Sequence, residues 1–428
     1  MTQLYEHQRT GASWIAGRAK SVLGDEPGTG KTYTIIQSLI DAGVRTPMVV
    51  CPAIVRTHWA RSFTAMNYKG DWRVQSYDGV TDGGVPQMAA LIHGPRPIDA
   101  LVLDEFQYCK HTTSKRAQIL LGNDGYARRL DRVILASGSI PKHPGEMFTM
   151  LVSLFPQILI EHGIKSKEQY MARFTIRRGS IVRGHWVEKV VAQQNIAELQ
   201  EILAQVMLRR TLDDTGLDVP EIWWQVVPLD PAATAYDIDE SPDSWTIRAA
   251  IDAGELESIA NDPHVARMRR RLGELKVAPV AEKLSAELAD SEEKVVVFAH
   301  HRNVLANLRS ALKGFGVAYI DGDVSDTKRN EEIDRFQTDP RCRIFLGQNL
   351  ACQTGITLTA AHREILVEPD WTADVNFQLG KRIARIGSTA QKCLGQMICL
   401  SGTLDEAIVA QNARETLMAA NLFRKAVA

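Results

Sequence analysis

The chain has 428 residues, which is too long for one compact core and predicts two or three domains. Its 50 Lys and Arg residues balance 51 Asp and Glu residues, so the formal net charge is −1. This balance excludes a global electrostatic field that would attract nucleic acid, so any such partner must be held by local basic patches.

The cysteines and the apolar runs narrow the class of protein further. The six cysteines are scattered without a C-x-x-C pair, so we expect no zinc site and no disulfide framework. We find no signal peptide, and no apolar run approaches the ~20 residues that cross a bilayer. We therefore expect a soluble, intracellular protein without a membrane partner, cytoplasmic if its origin is bacterial or viral.

The first predicted helix carries Gln8 near its start. A glutamine carboxamide can both donate and accept hydrogen bonds, which suits the N6 and N7 edge of adenine. The alternative is a glutamine that is simply exposed at a helix start.

A glycine-rich loop follows at residues 24–32, between a short apolar run and a segment that reads as a helix. Closely spaced glycines turn backbone N–H groups inward, and the N-terminus of the next helix adds partial positive charge. Lys31 would then reach the β- and γ-phosphates of ATP, and Thr32 would hold Mg²⁺. Asp25 replaces the first glycine of the usual G-x-x-x-x-G-K-[ST] pattern, so an ordinary strand-to-helix turn is the alternative. The candidate nucleotide ligands are Asp25, Gly28, Thr29, Gly30, Lys31 and Thr32.

Apolar strand-like runs at residues 48–51, 100–103 and 132–136 alternate with helical stretches. This alternation predicts a parallel sheet buried on both faces, with the ligand beyond the carboxyl ends of the strands. Asp104 and Glu105 follow one of these strands, so Asp104 would hold Mg²⁺ while Glu105 orients and deprotonates the attacking water. The alternative is a solvated turn. Ser137 and Ser139 follow the next strand in the same way.

The order of these motifs resembles a superfamily-2 helicase core, with Gln8 as the adenine-contacting glutamine and residues 24–32, 104–105 and 137–139 as motifs I, II and III. The loop wording D-E-x-G-x-G-K-T resembles the Swi/Snf-like double-stranded-DNA translocase branch and accounts for the missing glycine. Motif II continues as Phe106-Gln107 where the branch usually has Ala-His, and motif III has serines where threonines are usual. We expect these departures to affect coupling between the ATP site and motif III more than hydrolysis.

Other segments of the first half resemble DNA-facing elements of that branch. Residues 51–59 resemble motif Ia, residues 76–78 resemble the next DNA-facing motif, and Lys110 follows motif II as in the branch's extended form. The resemblance implies nucleic-acid contacts at Trp59, Ser76, Tyr77 and Lys110.

Residues 156–279 are less regular and contain clusters of arginines. Arg209-Arg210-Thr211 followed by Val219-Pro220 resembles the Arg-Arg-Thr and Leu-Pro elements between the lobes of this branch, which implies that Arg209 and Arg210 grip a phosphate backbone. The cluster at residues 267–271 is more simply a solvated helix face. We expect a small, mainly helical insertion at 156–279, between lobe one at 1–155 and lobe two at 280–428.

The second half repeats the α/β pattern, with strand-like runs at residues 294–298, 317–320, 343–346, 364–367 and 397–400. It has no phosphate-binding loop, as the resemblance implies for a second lobe that closes over ATP. Residues 295–301 resemble motif IV of the annealing-helicase (fork-remodelling) subgroup, residues 354–361 motif V, and residues 369–387 motif VI. The implied nucleotide contacts are Gly355 and Gln378, and the implied DNA contacts are His300, Thr354 and Trp371.

Arg382 and Arg385 are three positions apart, which would place them on one face of a helix. A planar guanidinium suits charge that is spread over phosphoryl oxygens. Arginines that complete a phosphoryl-transfer site are worth ~10³ to 10⁵ in rate. The alternative is a solvated helix face.

The sequence therefore predicts an α/β protein of two tandem RecA-like lobes, with parallel sheets of the P-loop NTPase type, that binds ATP and Mg²⁺. The candidate catalytic residues are Lys31, Asp104, Glu105, Arg382 and Arg385. We expect an ATP-dependent translocase on double-stranded or branched DNA that remodels or rewinds forks and recombination intermediates, with other replication or recombination proteins as further partners. The alternatives are a strand-separating DNA or RNA helicase and a non-catalytic, ATP-gated nucleic-acid clamp.

Overall fold

The computed structural model describes residues 3–139, 141, 143–182, 185–230, 256–259, 262–353 and 355–423. The chain divides into two compact units. Unit 1 contains Met1–Arg177, Val190–Leu217 and Met418–Ala428, and unit 2 contains Arg178–Lys189 and Asp218–Leu417.

The strands are, in chain order, β1 (Lys20–Leu23), β2 (Pro47–Cys51), β3 (Arg73–Ser76), β4 (Ala100–Asp104), β5 (Arg132–Ala136), β6 (Thr175–Val182), β7 (His185–Gln193), β8 (Met207–Leu208), β9 (Glu221–Leu229), β10 (Val295–Ala299), β11 (Val317–Ile320), β12 (Ile344–Gln348), β13 (Arg363–Leu366) and β14 (Lys392–Leu400). Unit 1 is built on a sheet of order β3-β2-β4-β5-β1-β8, and unit 2 on a sheet of order β11-β12-β10-β13-β14-β9. All the neighbouring strands in both sheets are parallel.

The helices are α1 (Glu6–Ala16), α2 (Lys31–Asp41), α3 (Arg56–Ala65), α4 (Tyr77–His93), α5 (Lys115–Leu121), α6 (Tyr126–Arg129), α7 (Phe148–Leu154), α8 (Pro156–Glu161), α9 (Lys167–Phe174), α10 (Ile196–Val206), α11 (Leu256–Ile259), α12 (Pro263–Ala289), α13 (Arg302–Ala311), α14 (Asp326–Thr338), α15 (Asn349–Cys352), α16 (Ala373–Gly380) and α17 (Leu404–Phe423). The described helices include none that is both long and apolar enough to span a bilayer. All six cysteines are buried free thiols.

Each sheet is buried on both faces, as the apolar strand sequences predict. In β4, Leu101 and Leu103 join one hydrophobic cluster, while Val102 joins a second cluster. In β10, Val295 and Val297 join one cluster, and Val296 joins another. Because successive side chains of a strand point to opposite faces, these clusters lie on the two sides of each sheet. The prediction of tandem RecA-like lobes with parallel sheets is confirmed.

The strand order places three sequence motifs side by side. β4, β5 and β1 are neighbours in the sheet of unit 1. The segments that follow them are Asp104-Glu105, Ser137-Gly138-Ser139 and the glycine-rich loop. Because parallel strands all end at the same edge, motifs I, II and III meet at one edge of this sheet.

Residues 156–279, predicted to form a mainly helical insertion, contain helices α8 to α11, most of α12, and also strands. β6 and β7 form a two-stranded sheet, β8 pairs with β1, and β9 pairs with β14. β8 and β9 thus extend the two main sheets, which the sequence analysis did not predict. The predicted domain bounds of 1–155, 156–279 and 280–428 stay a prediction.

Candidate functional site

The glycine-rich loop connects β1 to α2 and has the backbone of a phosphate-binding loop. Gly28 and Gly30 have φ of 96° and 78°, a left-handed region in which a Cβ would be strained. Lys31 Nζ donates to the carbonyl oxygens of Asp25 at 2.8 Å and Glu26 at 3.1 Å. Burial lowers the pKa of the Lys31 ammonium, although the nearby carboxylates of Glu105, Asp25 and Asp104 favour its charged form. The loop thus holds a partly buried ammonium group that donates hydrogen bonds to the loop's own backbone carbonyls.

Helix α1 contacts this loop directly. Gln8 Nε2 donates to the carbonyls of Thr29 at 3.3 Å and Gly30 at 3.4 Å, and its Oε1 accepts from Tyr5 N at 3.0 Å. His7 Nε2 lies 2.8 Å from the Thr29 carbonyl oxygen. Because Gln8 is only 4% exposed, the alternative of an exposed helix-start glutamine is wrong. Its contact with adenine stays a prediction.

Asp104 ends β4 and is partly buried. Its Oδ2 accepts a hydrogen bond from Trp59 Nε1 at 2.7 Å, and its backbone carbonyl accepts from the Tyr77 hydroxyl at 2.8 Å. Burial and the charge of the adjacent Glu105 raise the pKa of Asp104 to about 7, while the hydrogen bond from Trp59 and the charge of Lys31 lower it. A carboxylate in this setting is not part of a solvated turn.

Two of the predicted DNA contacts are instead part of the support for Asp104. Trp59 is 1% exposed and Tyr77 is 2% exposed, so neither side chain offers surface to a nucleic acid. The implied DNA contacts at these two residues are therefore corrected: they position the end of β4. Ser76 accepts from Gly79 N at 3.0 Å and caps α4, and Lys110 forms a 2.7 Å ion pair with Glu146. DNA contacts at Ser76 and Lys110 stay predictions.

Glu105 begins a continuous chain of hydrogen bonds to motif III. Its backbone has φ of 55°, an uncommon left-handed conformation for a residue with a side chain. Gln107 Nε2 donates to Glu105 Oε2 at 2.9 Å, and Gln107 Oε1 accepts from the Ser137 hydroxyl at 2.8 Å. Ser137 Oγ in turn accepts from Ser139 N at 3.0 Å. Gln107 therefore makes the link between motifs II and III that its presence was expected to weaken.

Gly138 brings motif III against motif I. A Cβ at this position would lie 2.9 Å from Lys31 Nζ and 2.8 Å from Pro27 Cγ, so a side chain there would collide with the loop. Gly138 was not among the residues predicted for the site, whereas its neighbours Ser137 and Ser139 were singled out. Its place after a buried strand that neighbours β1 was the available signal.

The arginines of the 209–210 pair also lie on motif I. Arg210 forms an ion pair with Asp25, and its NH1 donates to the His7 carbonyl at 2.6 Å. Arg209 NH1 donates to the Gly24 carbonyl at 2.7 Å, and its guanidinium lies 3.9 Å from the centroid of the Phe423 ring. Both guanidinium groups make contacts within unit 1, and the implied grip on a DNA backbone stays a prediction.

In unit 2, Arg382 and Arg385 follow α16, which ends at Gly380, so the prediction that they share a helix face is wrong. The Arg382 carbonyl accepts a hydrogen bond from Leu358 N, in the loop after α15, at 2.9 Å. In a longer helix this carbonyl would accept from an N–H of the same helix.

The two guanidinium groups nevertheless contact that same loop. Arg382 NH1 donates to the Ile356 carbonyl at 3.3 Å, and Arg385 NH1 donates to Thr357 Oγ1 at 2.9 Å. Burial lowers the pKa of Arg385 to about 10, which still leaves it charged at neutral pH.

The remaining predicted residues of unit 2 divide into three groups. Gly355 has φ of 74°, and Gln378 is 4% exposed and donates to Asp374 Oδ2 at 3.2 Å. Thr354 lies outside the described residues. The ring of Trp371 lies 4.7 Å from the Arg269 guanidinium. The nucleotide and DNA contacts implied for these residues stay predictions.

His300 and His301 surround a buried carboxylate that the sequence analysis missed. Glu368 Oε1 lies 2.6 Å from His301 Nδ1, and Oε2 accepts from His300 N at 3.1 Å and His301 N at 2.9 Å. Burial, the charge of Arg269 and that of His301 lower the pKa of His300 to about 4, so it is neutral at pH 7. Glu368 lies two residues after the end of the buried strand β13, at a strand end like Asp104, and this was the available signal.

Comparison with known proteins places the chain. The family described as "Helicase conserved C-terminal domain" matches residues 278–387. The mouse protein "DNA annealing helicase and endonuclease ZRANB3" is 26% identical, over 94% of this chain and 39% of that protein. The Drosophila melanogaster "SWI/SNF-related matrix-associated actin-dependent regulator of chromatin subfamily A-like protein 1" is 26% identical, over 98% of this chain and 56% of that protein. The chain is thus similar to SNF2-like helicases of superfamily 2.

The chain is similar to proteins named as DNA annealing helicases in mouse and in human. It spans 39% and 56% of the lengths of the two relatives just described. A solved structure, "Sulfolobus solfataricus SWI2/SNF2 ATPase core in complex with dsDNA", is 17% identical with a TM-score of 0.41, and covers 100% of this chain and 98% of that one. The segments that resemble SNF2 motifs I, II and III lie in unit 1, and those that resemble motifs IV, V and VI lie in unit 2.

Proposed function

We propose that this protein hydrolyses ATP with Mg²⁺ and uses the energy to translocate along duplex or branched DNA. The observation that carries the proposal is the meeting of a partly buried lysine, Lys31, with two neighbouring carboxylates, Asp104 and Glu105, at one edge of the unit 1 sheet. A glycine-rich loop and a helix N-terminus at the same edge suit a triphosphate. This combination is typical of phosphoryl transfer to water.

The residues of unit 1 fit a magnesium nucleotide. Two adjacent carboxylates at a strand end are costly to bury, as the raised pKa of Asp104 indicates, and hard oxygen ligands are those that Mg²⁺ prefers. Asp104 and Thr32 would hold the ion, which would neutralise charge on the β- and γ-phosphates. Lys31 would exchange its loop carbonyls for phosphate oxygens.

Glu105 is the proposed general base for the attacking water. Its Oε2 accepts a hydrogen bond from Gln107 Nε2 at 2.9 Å, and its backbone is left-handed with φ of 55°. Gln107 connects this carboxylate to Ser137, so motif III is coupled to the orientation of the base. In unit 2 we assign Arg382 and Arg385 the stabilisation of transition-state charge.

The proposed substrate is DNA, with forks and recombination intermediates as the preferred forms and replication or recombination proteins as further partners. Support comes from the motif order and from the 26% identical relative whose name describes DNA annealing. Because most contacts would be to phosphate and sugar, we expect sequence-independent binding that weakens steeply with salt.

The test is the ATPase rate measured with double-stranded DNA, single-stranded DNA, forked DNA and RNA, for the wild type and Glu105→Gln. We expect duplex and forked DNA to stimulate the wild type, and Glu105→Gln to abolish turnover while DNA binding is retained. Stimulation by single strands or RNA alone would instead favour a strand-separating helicase. Equal, negligible turnover by both proteins with intact DNA binding would indicate a non-catalytic clamp.

A further inference from the structure

The phosphate-binding loop is held by a segment 185 residues further along the chain. Asp25, which stands where the usual motif has its first glycine, is 1% exposed. Its Oδ1 accepts from Arg210 N at 2.9 Å and from Arg210 Nε at 3.2 Å. Its Oδ2 accepts from Arg210 Nε at 3.2 Å and from a terminal guanidinium nitrogen at 2.5 Å. The carboxylate is thus gripped on both oxygens.

The backbone on either side of this pair follows the loop. Gly24 N donates to the Leu208 carbonyl at 2.8 Å, and Glu26 N donates to the Arg210 carbonyl at 3.0 Å. Leu212 N donates to Glu26 Oε2 at 3.2 Å. Residues 208–212 therefore continue the pairing of β8 with β1 beyond the end of the strand and brace residues 24–26.

Helix α1 leaves room for the same guanidinium. A Cβ at Gly11 would lie 2.6 Å from Arg210 NH2 and 3.0 Å from Thr34 Cγ2, so any larger residue there would displace the arginine. Arg210 NH1 reaches the carbonyl of His7, whose ring contacts the loop at Thr29. One guanidinium therefore joins α1, the loop and the 208–212 segment.

The charge of Arg210 matters as much as its hydrogen bonds. Lys31 Nζ, which would bind the phosphates, donates to the backbone carbonyl of Asp25, so the Asp25 carboxylate belongs to the segment that would surround the triphosphate. An unpaired carboxylate there would repel the phosphates in a medium that screens charge poorly. The guanidinium cancels that negative charge.

We infer, on the basis of the proposed function, that Arg210 is a positioning residue for the nucleotide: its pair with Asp25 fixes the loop and removes a negative charge from beside the triphosphate. At the position where the usual motif has its first glycine, this chain therefore has an aspartate that is held by a salt bridge to Arg210. Arg210 is then required for ATP binding and dispensable for DNA binding.

The experiment measures binding of a fluorescent ATP analogue with Mg²⁺ to the full chain in the absence of DNA. The variants are Arg210→Met, Asp25→Asn and their combination, and Arg96→Met is the matched control because its side chain is 78% exposed. We expect Arg210→Met to weaken binding roughly 10- to 100-fold, the range for a lost charged hydrogen-bond pair. The double variant should recover to within about 5-fold of the wild type, because it leaves no unpaired charge.

Recovery in the double variant separates this role from simple packing. If Asp25→Asn does not restore binding to Arg210→Met, the charge argument is overturned. If Arg210→Met binds the analogue normally but loses affinity for duplex DNA, the arginine contacts DNA instead. If circular dichroism shows that Arg210→Met does not fold, Arg210→Lys replaces it. Lysine keeps the positive charge but lacks the planar guanidinium that bonds both carboxylate oxygens. We therefore expect Arg210→Lys to raise KM for ATP with little change in kcat.

The outcomes also distinguish this inference from the proposed function. A wild type that binds the analogue but shows no DNA-stimulated turnover refutes translocation and leaves the Arg210 comparison decisive. A wild type that does not bind the analogue refutes both.

Discussion

Removal of one hydrogen bond to Asp104 provides a direct test of the metal site. Trp59→Phe keeps an aromatic ring in the core and deletes the indole N–H that lies 2.7 Å from Asp104 Oδ2. That bond is one of the effects that lower the pKa of Asp104 against burial and the charge of Glu105. The substitution should therefore favour the protonated carboxyl, which cannot hold Mg²⁺.

The expected size follows from the bond and the pKa. A hydrogen bond to a charged group is worth ~1.5 to 3 kcal/mol, which would raise the pKa of Asp104 by about 1 to 2. Starting from a pKa of about 7, the ionised fraction at pH 7 falls from about a half to between about 0.1 and 0.01. The Mg²⁺ concentration for half-maximal ATPase activity should then rise roughly 5- to 50-fold at pH 7 and at most about 2-fold at pH 9.

The assay is a Mg²⁺ titration of the ATPase rate at pH 7, 8 and 9. Trp72→Phe is the matched control, because Trp72 packs on the same hydrophobic cluster and stacks on Phe63 at 5.1 Å. The control should show the wild-type Mg²⁺ dependence at every pH. A Trp59→Phe defect of equal size at pH 7 and pH 9 would refute the reasoning, since ionisation of Asp104 would not then be its cause.

Three further substitutions test other parts of the two units. Gln107→Leu removes the amide that holds Glu105, so kcat for ATP should fall roughly 10- to 100-fold at an unchanged KM in steady-state assays. Glu364→Leu replaces a fully buried carboxyl with no hydrogen-bond partner among the described residues, so chemical denaturation should show a gain of ~1 to 3 kcal/mol at pH 7. Gly30→Ala places a Cβ 2.2 Å from Gln8 Nε2 in left-handed backbone, so binding of the fluorescent ATP analogue should be lost.

The substitutions at Gln107 and Gly30 each have a matched comparison variant. Gln107→His should recover part of the activity, because an imidazole can also bridge two groups; a normal kcat in Gln107→Leu would show that the link is not used. Gly43→Ala is the control for Gly30→Ala, since Gly43 has φ of 66° with nothing within 4 Å of its added Cβ. If both glycine variants lose binding equally, backbone strain rather than the contact with Gln8 is responsible.

The Glu364 prediction carries a pH signature. Burial raises the pKa of this carboxyl well above its usual range, so folding takes up a proton whenever the unfolded carboxyl is ionised. Wild-type stability should therefore fall as pH rises above the unfolded pKa of about 4.3, and Glu364→Leu should remove this part of the slope. An unchanged slope would mean that the buried carboxyl is already ionised in the folded protein.

The sequence predicted the fold where the signal is local. The apolar runs at residues 100–103 and 132–136 correspond to β4 (Ala100–Asp104) and β5 (Arg132–Ala136), because a strand buried on both faces needs a continuous apolar run. β8 was missed because it has two residues and exists only through its pairing with β1. Its place in the sheet is set by a contact that no local pattern records.

The site divides in the same way. The order of Lys31, Asp104 and Glu105 along the chain identified their meeting at one sheet edge, since that depends on strand ends. The directions of Trp59 and Arg210 could not be predicted, because residue type and position are equally compatible with an outward side chain that contacts DNA. Their true partners lie 45 and 185 positions away in the sequence. Whether such a side chain points inward or outward depends on how the folded chain buries it, which the local sequence does not show.

Gln107 fixes the direction of the hydrogen bonds that connect motifs II and III. A carboxamide has one donating and one accepting end and keeps the same charge across the physiological pH range, whereas an imidazole can change tautomer or gain a proton. With Nε2 directed at Glu105 and Oε1 at Ser137, reversal of the connection requires the amide to turn over. Movement of motif III would therefore shift the position of the Glu105 carboxylate through the Gln107 amide. Because the amide does not titrate, this coupling should not depend on pH.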